Sequence, residues 1–132
     1  MKPGKPTFFG VLEAAPVDGR PGRRAFVFGL PGNPVSVFVN TELLVKPLIY
    51  ALQGLARSES ELTLPAAEAI RRKGADRVEF LPVSLGPDGA RAIRYGGSSA
   101  IQALASADGF CRLEMGQAEI EKGGPVRVRL IR

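Results

Sequence analysis

At 132 residues, with 45% hydrophobic and 23% charged side chains, the chain has a globular composition and room for one ordinary domain or two small ones around a modest core. The single cysteine, Cys111, excludes an internal disulfide and a cysteine-rich zinc site, and the absence of histidine removes the commonest metal ligand and general base, leaving Lys, Arg, Ser, carboxylates and backbone dipoles for any chemistry. A formal charge of +5 favours an anionic partner, but the arginines are scattered without a basic block, which argues against nucleic acid; with no secretory signal and no apolar run of the ~18 residues a membrane span requires, the expected location is cytoplasmic.

Residues 1–6, MKPGKP, set Lys2 and Lys5 three apart around a Pro-Gly turn. They read either as an ordinary solvated turn or as a rigid loop presenting two compact ammonium groups to an anion. Residues 7–14, TFFGVLEA, are rich in aromatic and β-branched residues and predict a strand, with Gly10 at a bulge or a close contact. Residues 16–22, PVDGRPG, are turn chemistry throughout, and residues 24–28, with an apolar run at 25–28, supply a second strand, so that 7–28 form a hairpin-like pair.

That second strand stops at Leu30-Pro31-Gly32-Asn33-Pro34 and passes without a gap into an apolar segment with helical spacing at Val35, Phe38, Val45, Leu48, Ile49 and Leu52. The prolines lock φ, Gly32 is free to take the left-handed conformation, Asn33 is a preferred N-cap and Pro34 suits the first helical position. A helix N-terminus thus opens at the end of a strand, where free N–H groups favour an anion. Pro47 is expected to kink the helix and Gly54 to end it. So apolar a helix needs covering on more than one side, more than the preceding residues supply, and the first third of the chain reads as the end of a larger domain or as a surface buried by a partner.

The polar stretch 56–61 marks a domain boundary, after which short β segments and turns take over. Residues 77–85 and 90–95 flank Gly-Pro-Asp-Gly as a hairpin, and 110–115 and 125–131 bracket a second turn at 121–124. Residues 62–73 are ambiguous between a helix and a strand completing a small barrel. Between the hairpins, Gly-Gly-Ser-Ser at 96–99 reads as a loop with a helix cap at Ser98 or Ser99, and more weakly as an oxyanion or phosphate nest. Glu13, Asp18 and Glu42 are not spaced as a metal cluster and read as surface charge.

Taken in order, KPGKP at 2–6, FVFGLPGNPVSVF at 26–38, the apolar helix, RVEF at 77–80, GSSAIQALASADG at 97–109 and the closing G-x-x-V-x-V-x-L at 123–130 resemble the C-terminal portion of molybdopterin molybdenumtransferases. This is the MoeA family, which includes the E domain of gephyrin, and the resemblance spans essentially the whole chain. It implies a role in molybdenum cofactor biosynthesis, inserting molybdate into adenylylated molybdopterin with Mg²⁺ and releasing AMP, in a multidomain homodimer. It further implies the C-terminal part of a molybdopterin-binding α/β domain over residues 1–56 (a β-hairpin, the LPGNP loop and a long helix), followed by a small all-β, barrel-like domain over 57–132.

Carried over by position, the resemblance assigns Lys2 and Lys5 to catalysis and Pro31, Gly32, Asn33, Pro34 and Ser99 to substrate binding, with no metal ligand. Its partners would be molybdopterin or the adenylylated form, and either a second copy or the missing N-terminal part. Two departures stand out. The family's acidic residues for Mg²⁺ and molybdate lie upstream of KPGKP, so half an active site is expected here, incomplete on its own and binding neither ion alone. A basic residue common after R-x-[DE]-F is replaced by Leu81-Pro82. The alternatives are a non-catalytic module that binds a pterin phosphate or docks on another subunit, and, below it, a basic nucleic-acid-binding module.

Overall fold

The computed structural model describes residues 6–19, 21–56, 60–96 and 100–131. Strands β1 (Phe8–Glu13) and β2 (Arg24–Gly29) form an antiparallel hairpin in which Phe8 faces Gly29 and Glu13 faces Arg24. The turn between them carries Asp18 and Gly19 at φ of 51° and 72°, the left-handed pair that matches strand twist. Phe9 packs against Phe28 and Phe26, with ring centroids 4.9 and 6.3 Å away. On the other face the Phe8 ring covers Gly10, where a Cβ would stand 2.9 Å from its Cζ. Gly10 is therefore a close contact and not a bulge, and register is kept along the whole hairpin. Both faces are apolar and open, with Phe8 60% exposed on one and Phe9 51% on the other.

The helix that follows has three segments: α1 (Pro34–Asn40), a π turn (Thr41–Val45) and α2 (Lys46–Leu52). The irregularity expected at Pro47 is taken up ahead of it. Pro47 cannot donate to the carbonyl four residues back and its ring crowds that carbonyl, so the ladder widens by one residue, and the Lys46 N–H reaches the Thr41 carbonyl. Gly54 ends the helix at φ 69°, with the Leu55 N–H returning to the Tyr50 carbonyl.

One expectation for this helix is met and one is revised. As expected of a helix with too little chain to cover it, it is buried only in its first half: Val35, Ser36, Val39, Asn40 and Glu42 are covered, whereas α2 buries no residue and Leu52 is 60% exposed. And Pro34–Leu52, at 19 residues, is long and apolar enough by length and composition to cross a membrane, although no such segment was expected. Core helices meet the same test, and this one carries Glu42 and Lys46 at its centre, joined to each other. Charges placed there are costly in lipid.

The remaining chain is mostly β. A five-stranded antiparallel sheet has the order β3 (Glu61–Pro65), β9 (Pro125–Leu130), β7 (Gly109–Leu113), β5 (Glu79–Gly86), β6 (Gly89–Ala92), and β4 (Ile70–Arg71) pairs with β8 (Glu119–Ile120) as a short ribbon. The sheet curls into a half barrel whose two edges touch at one place, where Ala66 bridges Ala90 and the Ala67 N–H meets the Ala90 carbonyl. Gly89, at φ 117°, permits that contact: a Cβ there would lie 2.0 Å from the Pro65 carbonyl oxygen.

The ambiguous stretch 62–73 is thus extended. The helix-favouring run around Ala66 gives way because Ala66 and Ile70 are buried and their backbone groups are used by neighbouring segments. Inside the half barrel Ile70, Val83, Cys111, Leu113, Val126 and Val128 form the core.

Cys111 has no exposed surface, and burial pushes its thiol from 9.0 up to about 11. The neutral thiol is the form the fold favours, so its contribution to stability is full below the ordinary thiol pKa and is lost as pH rises toward 11. Cys111 is expected to resist a disulfide-exchange reagent at pH 8 in the folded protein and to react once denaturant is added. Rapid labelling of the native chain would contradict its burial.

Candidate functional site

The strand–loop–helix junction is built as its residue types require. Pro31 is buried and Gly32 and Asn33 are exposed. Asn33 caps the helix from an extended backbone (φ −74°, ψ 126°), its side-chain oxygen accepting from the Ser36 N–H at 3.2 Å. Its carbonyl accepts from the Val37 N–H at 3.0 Å. Asn33→Ala is expected to destabilise the chain by about 1 kcal/mol through loss of the cap, read in denaturant unfolding. No change in midpoint would mean that the cap contributes nothing.

Two expectations about this loop are corrected. Gly32 does not take the left-handed conformation, since it is absent from the positive-φ residues, and a Cβ placed on it would meet nothing within 4 Å. With prolines on either side of the turn fixing the chain, neither backbone nor packing within the described residues requires a glycine there. Second, the helix N-terminus is less open to an anion than an uncapped one. Pro34 has no N–H, Ser36 and Val37 are satisfied by Asn33, and Val35, the remaining residue of the first turn, is itself fully buried.

A buried cluster of Val35, Val39, Phe80, Ala100 and Phe110 seats the start of the helix on the sheet, with the Phe38 and Phe110 rings 5.8 Å apart. Ala100 opens helix α3 (Ala100–Ala105), so the first residues of α1 and α3 are held against one another. The LPGNP loop and the chain just after the Gly-Gly-Ser-Ser segment are therefore neighbours. Ser99 itself, like Lys2 and Lys5, lies outside the described residues. Pro31, Gly32, Asn33 and Pro34 are contiguous and stand together by geometry as well as by sequence.

Two polar residues of the helix carry more structure than their sequence context indicates. Asn40 is fully buried, its amide donating to the Ser36 carbonyl at 2.7 Å and its oxygen accepting from the Thr7 hydroxyl at 3.4 Å, which ties the start of the hairpin to the helix. Glu42, read as surface charge, is 4% exposed and bonded to Lys46. The signal was the i,i+4 Glu–Lys spacing, which permits such a pair within one helix face. Among the described residues no group of three or more His, Cys, Asp or Glu is placed to hold a metal ion. At the position where the family often has a basic residue, Pro82 is buried in β5 opposite Phe110.

The family model for the MoeA C-terminal region (domain IV) matches residues 63–131. The chain belongs to the MoeA family. It is 32% identical over 130 residues to a molybdopterin molybdenumtransferase of Synechococcus elongatus, covering 98% of this chain and 30% of that protein. To the protein of the same name from Haemophilus influenzae it is 30% identical, covering 97% of this chain and 31% of the relative.

Among solved structures, a molybdopterin biosynthesis MoeA protein of Pyrococcus horikoshii superposes with a TM-score of 0.77 at 33% identity, over 99% of this chain and 30% of that one. A molybdenum cofactor biosynthesis protein of Pyrococcus furiosus gives 0.69 at 27% identity, over 86% and 42%. This MoeA-family chain thus spans about a third of the length of its curated relatives.

Proposed function

We propose that the protein acts in molybdenum cofactor biosynthesis as the C-terminal segment of a molybdopterin molybdenumtransferase, with molybdopterin or its adenylylated form as ligand and molybdate as the substrate to be inserted. Residues 1–56 would complete a molybdopterin-binding α/β domain, and 57–132 would be the small barrel-like domain beside it. The observation that carries this reading is the loop at Pro31, Gly32, Asn33 and Pro34. It is held rigid by two prolines and an N-cap, is free of side-chain cover at Gly32, and belongs to a chain alignable nearly end to end with molybdopterin molybdenumtransferases.

In this reading Gly32 lets a phosphate or pterin edge approach the backbone closely. Lys2 and Lys5 supply compact positive charge for the oxyanions of phosphate or molybdate. By the same resemblance Ser99 would contribute its hydroxyl to substrate binding. The Mg²⁺ that the family uses finds no matching donor set among the described residues, and no step of this chain's chemistry is routed through it. Charge neutralisation and positioning are what these residues can offer. Turnover would need the acidic part that the resemblance places upstream of KPGKP.

The test separates binding from turnover. The chain alone is expected to bind molybdopterin, followed by pterin fluorescence, without releasing AMP from the adenylylated form; release should appear when the remaining length of a relative is supplied. Lys2→Ala and Lys5→Ala are each expected to weaken binding by about 1–3 kcal/mol, the range for charge-assisted hydrogen bonds. Unchanged affinity in both would remove the lysines from the site, and failure of the unaltered chain to bind would overturn the assignment. The exposed faces of the hairpin and of α2 favour one second reading, a docking module without catalytic activity. That reading predicts a stable complex with another subunit and no pterin binding.

A further inference from the structure

The curled sheet closes on itself at one place and stays open beside it. Below the Ala66–Ala90 contact, the edge continuing from β6 through residues 92–95 faces the segment 68–73 across a slit of about 580 Å³. The pairing registers show which backbone groups face that slit. Ile93 donates to the Pro82 carbonyl, so the N–H and C=O of Ala92 point away from β5, to the free edge. Arg72 donates to the Ala118 carbonyl, so those of Arg71 point away from β8, and Arg71 lines the same gap. The ends of two short strands thus confront one another, with the backbone groups of Ala92 on one side and Arg71 on the other unused by their own ladders. Leu81 and Ala92, packed on the core, contribute apolar surface between them.

The charges around the slit are unequal in their freedom. Glu68 is paired with Arg91 at 3.1 Å and Glu79 lies 3.6 Å from Arg72, while Arg71 is bonded to Glu119 at 2.8 Å. Lys73 and Arg94 have no ion-pair partner among the described residues, which leaves the slit net positive and unneutralised.

We propose that this seam is a strand-insertion site for an extended acidic peptide segment of a partner protein. A strand entering it would complete the barrel wall, meet both edges with main-chain hydrogen bonds, and set carboxylates at alternate positions against Lys73 and Arg94. A phosphate or a nucleic-acid backbone would match the N–H groups and cations but leave the carbonyls of Ala92 and Arg71 without a partner strand. That asymmetry favours a peptide. The inference is independent of the pterin assignment, because it uses neither the LPGNP loop nor the N-terminal lysines.

The test titrates a capped peptide of alternating glutamate and valine into the unaltered chain and follows backbone amide resonances. Expected are saturable shifts at Arg71, Lys73, Ala92 and Arg94, at least five-fold weaker binding when alternate peptide nitrogens are methylated, and no binding of the lysine-for-glutamate peptide. The double variant Lys73→Glu, Arg94→Glu should lose at least ten-fold in affinity with its unfolding midpoint unchanged. No shift at millimolar peptide, shifts confined to other residues, or indifference to N-methylation would each overturn the proposal. So would inorganic phosphate or a single-stranded oligonucleotide displacing the peptide from these amides. Because the N-methyl comparison uses the unaltered protein, a folding defect in the double variant cannot rescue the idea.

Discussion

Phe110→Ala is expected to destabilise the chain by about 3–5 kcal/mol, the range for truncating a buried phenylalanine. Phe110 is 2% exposed and belongs to β7, where it pairs with Pro82 on one side and Arg129 on the other. Its ring meets Phe38 from the helix at 5.8 Å and shares a cluster with Val35, Phe80 and Ala100. One side chain therefore fastens the start of α1 and the start of α3 to the sheet. Removing it leaves a cavity bounded by a strand and two helices, which cannot collapse without separating them. Denaturant unfolding should show a large fall in midpoint, and hydrogen exchange should show amides of α1 losing protection together with those of β7. A loss below about 1 kcal/mol would mean that the helix is held from elsewhere.

Gly32→Val is expected to do the reverse, leaving stability within about 0.5 kcal/mol while weakening pterin binding at least ten-fold, which is about 1.4 kcal/mol. The difference lies in what surrounds the position. A Cβ at Gly32 meets nothing within 4 Å and the backbone is not left-handed, whereas a Cβ at Gly89 would drive into the Pro65 carbonyl at 2.0 Å. Gly89 is a glycine for the fold's own sake. Gly32 has no internal reason to be one, and close approach of a ligand to the loop backbone supplies a reason from outside. Midpoint and pterin fluorescence measured on the same variant decide it: equal affinity would sink the close-approach role, and a large loss of stability would point to packing across the loop by residues beyond those described.

Much of the architecture near the loop was legible because it is local. Asn33 and Pro34 announce a cap and a first turn, Gly54 a left-handed stop, and Asp18-Gly19 and Gly86-Pro87-Asp88-Gly89 their turns, all through torsional preferences that act within a few residues. The family motifs were readable for a related reason: Leu-Pro-Gly-Asn-Pro combines restraints in one short string. Where preference depends on distant neighbours, the sequence was mute or misleading. The run around Ala66 favours a helix until Ala90 and Gly124 claim its backbone groups, and Glu42 reads as solvent charge until the helix turns it inward beside Lys46.

What the sequence by itself determined is the order of turns, caps and apolar runs, and with them the family. Only the tertiary structure decided that Pro47 is accommodated by a π turn, that the second half of the helix stays uncovered, and that Val35 and Ala100 bring two helix starts together. It also decided that the curled sheet meets itself at Ala66 and Ala90 but not beyond. Torsional preferences are written into each residue, but burial and edge pairing are properties of segments far apart in the chain, and they acquire values only when those segments meet.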